Sequence, residues 1–100
     1  MFDTSKYKDK VQEDVLRGLV NYGKSGVPVG DFLRSVLTNN LTLTICRADE
    51  NNLRQIKQIV MFVNNELPMN CWGSFDKYES WLTVKLEDRK MGRSTIEIIS

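Results

Sequence analysis

Two arginines, a tryptophan and a few small polar side chains are the residues of this chain best suited to hold a ligand. Trp72 lies in the run Asn70-Cys71-Trp72-Gly73-Ser74, where Gly73 permits a tight turn and Ser74 is a good helix N-cap. A large ring beside a helix N-terminus offers a stacking face next to free backbone amides, which favour anions. Arg47 and Arg54 add guanidinium groups that suit phosphate or carboxylate, and Asn40, Asp49 and Asn51 can read polar edges. These seven residues, with Ser74 among them, are the expected ligand-binding set. Each also has a simpler use: Asp49 and Ser74 as caps, the arginines as solvated charges, Trp72 as part of the core.

Catalysis and metal chemistry find little support. The chain has no histidine, which removes the commonest general base and every Ser-His or Cys-His nucleophile pair. Asp49 and Glu50 are adjacent, and on a helix they would point about 100 degrees apart rather than toward one substrate atom. Cys46 and Cys71 are too few and too isolated for zinc, and are expected to be reduced and mostly buried. No catalytic residue, metal or cofactor is expected.

The positioning elements follow from composition and periodicity. One hundred residues, 41% hydrophobic and 27% charged, suit one globular domain. Fourteen basic against thirteen acidic side chains give a net charge of +1, without the global positive field of a nonspecific nucleic-acid binder. Met1 to Lys10 lacks the apolar centre of a signal peptide, and no run nears the roughly 20 apolar residues of a membrane span. A cytoplasmic location is expected.

Val11, Val15, Leu16, Leu19 and Val20 recur at helical spacing, and that helix should end near Tyr22-Gly23. Phe32, Leu33, Val36, Leu37 and Leu41 mark one face of a second helix, with Gly30-Asp31 at its start. Over 41–46 leucine and threonine alternate as in a strand, yet Asn39-Asn40 suits one helix stopping and another beginning, which favours helix. Leu53, Ile56, Ile59, Val60, Val63 and Leu67 predict a third, longest helix, ended by Pro68. A short fourth starts at Ser74 and carries Phe75, Tyr78, Trp81 and Leu82. Beyond it, Leu82, Val84 and Leu86 alternate, as do Ile96 and Ile98, which predicts a β-hairpin, the alternative being a helix that runs on from Trp81. The expected fold is mainly α: a polar segment 1–10, a compact four-helix domain 11–82, and a C-terminal β-hairpin or strand over 83–100 that pairs subunits into a homo-oligomer.

Several runs together resemble a family of small, mostly uncharacterised bacteriophage and prophage proteins. They are Gly18-Leu19-Val20-Asn21-Tyr22, Gly26-Val27-Pro28-Val29-Gly30-Asp31-Phe32-Leu33, Val36 to Leu41, Arg47-Ala48-Asp49 with Asn51 or Asn52, and Pro68 through Cys71-Trp72-Gly73-Ser74 to Trp81. The resemblance covers residues 16 to 82. In that family an aspartate stands where this chain has Asn40, and the segment after Leu41 is more helix-friendly than Thr42-Leu43-Thr44. The resemblance implies a phage origin and a helical body rather than an activity. A small phage protein of this kind is expected to be a binder that counters host defence. It would sequester a small anionic, cyclic-nucleotide-like signal at subunit interfaces, or mask a host protein. The alternative is a helical DNA-binding regulator, with the two helices around Gly23 to Asp31 as a helix-turn-helix.

Overall fold

The computed structural model describes residues 2–90. They form six α-helices: α1 (Glu13–Ser25), α2 (Asp31–Leu37), α3 (Leu41–Arg47), α4 (Glu50–Arg54), α5 (Ile56–Glu66) and α6 (Phe75–Lys90). Single 3-10 turns at Ser5–Tyr7 and Met69–Cys71 precede α1 and α6.

Helix boundaries follow local chemistry. Gly26 closes α1 in the left-handed region at φ 66°, its N–H bonding back to the Asn21 and Tyr22 carbonyls. A side chain there would also collide with Lys85 of α6. Asn39, at φ 61°, ends α2 the same way, and the Asn40 N–H reaches the Ser35 carbonyl at 2.9 Å. Asn40 then turns to the next helix: its Oδ1 accepts the Leu43 N–H at 3.1 Å and caps α3. The Asn39-Asn40 pair therefore stops one helix and starts another, which makes 41–47 helical despite its strand-like alternation. Asp49 Oδ1 caps α4 through the Asn52 N–H at 2.7 Å. Gln55 sits between α4 and α5, accepting the Gln12 N–H with its side chain while the Ile59 N–H bonds to its own carbonyl. The predicted third helix is thus two segments meeting at Gln55, and the expected four helices become six.

The core is built from Val11, Val15, Leu16, Leu19 and Tyr22 of the first helical region, Val36 and Leu37 of α2, and Ile59, Phe62, Val63 and Leu67. Tyr7 joins it, meeting the Phe62 ring edge-on at 5.2 Å, so the polar N-terminal segment lies on the helical body. Tyr22 is the hub. Its hydroxyl donates to the Cys71 carbonyl at 2.6 Å, its ring stacks on Tyr78 at 5.3 Å, and its carbonyl accepts Trp81 Nε1 at 2.9 Å.

Two expectations are corrected. Residues 83–90 continue α6 instead of forming a strand, which makes α6, at 16 residues, the longest helix. Trp81 and Leu82 pack on the core and Lys85 lies against Gly26, while Val84 and Leu86 face solvent, a helical pattern that three alternating residues were too few to distinguish from a strand. The other limb of that hairpin, Ile96 and Ile98, and with it the tail-mediated oligomer, lie outside the described residues. Of the two cysteines only Cys71 is buried; Cys46 is exposed on α3.

Candidate functional site

A cleft of about 380 Å³ opens between α2 and α3, closed at one end by the first residue of α6. Asp31 and Arg34 come from the first turn of α2, Asn40 and Arg47 from the two ends of α3, and Phe75 from the start of α6. The two helices are held together by hydroxyls. Thr44 Oγ1 shares its proton between the Asn40 carbonyl at 2.8 Å and Ser35 Oγ at 3.1 Å, while Ser35 Oγ donates to the Phe32 carbonyl at 2.6 Å.

Asp31 organises the charge. Arg34 Nη2 lies 3.2 Å from Asp31 Oδ1, and Arg47 Nη1 lies 3.8 Å from Asp31 Oδ2. All three side chains are more than half exposed, so these pairs add at most about 1 kcal/mol each. Their effect is positional: one carboxylate steers two guanidinium groups to a common cleft, and two cations against one anion leave a single positive charge there. Phe75 is 59% exposed, and its ring forms an open face beside those cations. Guanidinium groups with an uncovered ring suit a small anion that carries a planar group.

The expected ligand set divides across the molecule. Arg47 and Asn40 line this cleft. Trp72 is half-buried on the opposite side of α3, lining an apolar groove with Asn40, Leu41, Ile56 and Val60. Its packing against the core agrees with the simpler reading of that residue, and its Nε1 is buried without an acceptor. Ser74 caps α6 by accepting the Lys77 N–H at 3.2 Å, and Asp49 caps α4. Arg54 and Asn51 pair with each other at 3.1 Å on exposed α4, where they line neither recess. Asp31, Arg34 and Phe75 were not in the expected set. The three-residue spacing of Asp31 and Arg34 is the one local signal for them; the approach of Phe75 is tertiary.

Groups with raised pKa lie in the core, not in the cleft. Burial pushes the Cys71 thiol up to about 11, and burial likewise raises the Tyr22 phenol, with the neighbouring Cys71 and Tyr78 adding to it. Among the described residues no group of three or more His, Cys, Asp or Glu side chains could hold a metal ion, and no helix is long and apolar enough to cross a membrane. Searches of protein-family models, curated proteins and solved structures find no match to this chain.

Proposed function

We propose that this chain is a non-enzymatic binding protein that takes a small anionic ligand bearing a planar ring, of the cyclic-nucleotide kind, in the α2–α3 cleft. The observation that carries this reading is the convergence of Arg34 and Arg47 on Asp31 beside the exposed ring of Phe75. The guanidinium groups would take phosphate oxygens, releasing Asp31 contacts that cost little to break, and Phe75 would stack on the base. Asn40 stands at the rim with its amide nitrogen uncommitted to the cap. Together with the resemblance to small phage proteins, such a binder would counter host defence by lowering the free concentration of a signal.

Isothermal titration with a cyclic dinucleotide, ATP and inorganic phosphate tests the reading. Nucleotide should bind the wild type, and Arg47→Ala or Phe75→Ala should each weaken it by about tenfold or more with the circular dichroism unchanged. Arg54→Ala should bind as wild type. Equal loss with Arg54→Ala, or no nucleotide binding at all, would sink the proposal. Binding of random duplex DNA that fades steeply with salt would instead favour the regulator reading.

A further inference from the structure

The hydrogen-bonding capacity of Asn40 is nearly all spent. Its N–H donates to the Ser35 carbonyl at 2.9 Å, and its own carbonyl takes the Thr44 N–H at 2.9 Å and the Thr44 hydroxyl at 2.8 Å. Its Oδ1 takes the Leu43 N–H at 3.1 Å, which leaves the side-chain NH2. A flip of the amide would set that NH2 against the Leu43 N–H, donor to donor, so the cap fixes which end of the side chain is oxygen. Asn40 is exposed and lines the α2–α3 cleft. What it can offer an occupant of that cleft is a pair of donors and no acceptor.

That asymmetry separates the bases. A free asparagine amide reads adenine with both ends, its oxygen accepting from the N6 amine while its nitrogen donates to N7. With the oxygen held in the cap, half of that reading is lost and the N6 amine meets a donor. A 6-oxopurine such as guanine presents O6 and N7, two adjacent acceptors, to the same NH2. The surroundings lean the same way: Arg34 and Arg47 carry donors alone, and the Ser35 and Thr38 hydroxyls are turned to carbonyls of α2.

Resting on the reading of this cleft as a nucleotide site, we infer that Asn40 sets its base preference, selecting a keto-bearing purine over an amine-bearing one. Asn40 is then a specificity-determining residue as well as a cap.

Isothermal titration of the full chain with cyclic di-GMP and cyclic di-AMP tests this. The wild type should bind the guanine ligand about tenfold more tightly. Asn40→Ser keeps a capping oxygen and removes the NH2, so the ratio should fall to about one. Asn40→Asp keeps the cap and sets a second oxygen where the NH2 stood, so the ratio should invert; its added charge weakens both ligands and cancels from the ratio. Thermal melts of both variants check that the fold is intact. Equal binding of the two ligands by the wild type, or a guanine preference that survives in Asn40→Ser, would overturn this inference and leave the anion cleft standing. Binding of neither ligand would overturn the nucleotide reading and this inference with it.

Discussion

The surroundings of Tyr22 and the α3–α4 edge use their side chains in opposite ways. Around Tyr22, three aromatic rings and a cysteine are packed together, the Tyr22 hydroxyl donating to the Cys71 carbonyl, its carbonyl accepting Trp81 Nε1 and its ring stacking on Tyr78. Along α3 and α4 the sole buried residue is Thr44, and Leu41, Leu43, Ile45 and Leu53 face outward. Stability in a small domain comes from burying apolar surface, so the first region holds the molecule together and the second is held by it. The lesson is that the edge keeps apolar side chains it does not need for its own folding.

The contrast breaks most visibly at its centre. Tyr22→Ala should cost about 3–5 kcal/mol, enough to remove much of a small domain's stability, as read from thermal or urea unfolding. Leu41→Ala, at the lowest workable protein concentration, should stay within about 0.5 kcal/mol. Comparable losses at the two positions would erase the distinction.

The next effect is on pH. Cys71 and Tyr22 are buried neutral groups with raised pKa values, so the unfolded chain ionises them first. The stability they contribute is complete below about pH 9, the ordinary thiol value, and drains away as pH rises toward 11 for Cys71 and beyond that for Tyr22. Melts recorded between those limits should show a falling midpoint. Native thiol labelling should modify exposed Cys46 alone, with Cys71 reacting after denaturation.

The smallest effect sharpens the edge itself. Asn40→Ala removes the α3 cap and should cost about 1 kcal/mol. Hydrogen exchange should show the loss confined to α3 amides; a loss spread through α1 and α5 would mean that the edge is structurally coupled to the core.

The core was legible where periodicity was long. Val11, Val15, Leu16 and Leu19 mark the buried face of the first helical region and Ile59, Val63 and Leu67 that of α5, because several turns repeat one pattern, while Leu53 and Val60 of the same predicted stripe are exposed. Asn39-Asn40 and Ser74 are read from their chemistry alone, since caps are local, whereas α1 runs past its expected end near Tyr22-Gly23 to Ser25, where the left-handed Gly26 closes it. Residues 82–86 misled because alternation over five positions also fits a helix whose outer side carries Val84 and Leu86. The cleft was half legible. Arg47 and Asn40 are placed there, but Phe75 reaches it through packing of α6, and Arg54 fails to reach it because α4 turns the residue outward to Asn51. Single-residue chemistry marks candidates; only the fold decides which of them meet.

α3 is a partition seven residues long with a recess on each face, and Asn40 belongs to both. A shared partition means that a ligand bound on one face would restrain the helix from which the other face is built. Were both faces to bind ligands, reciprocity would make any coupling equal in the two directions, to be read by titrating one ligand in the presence of the other.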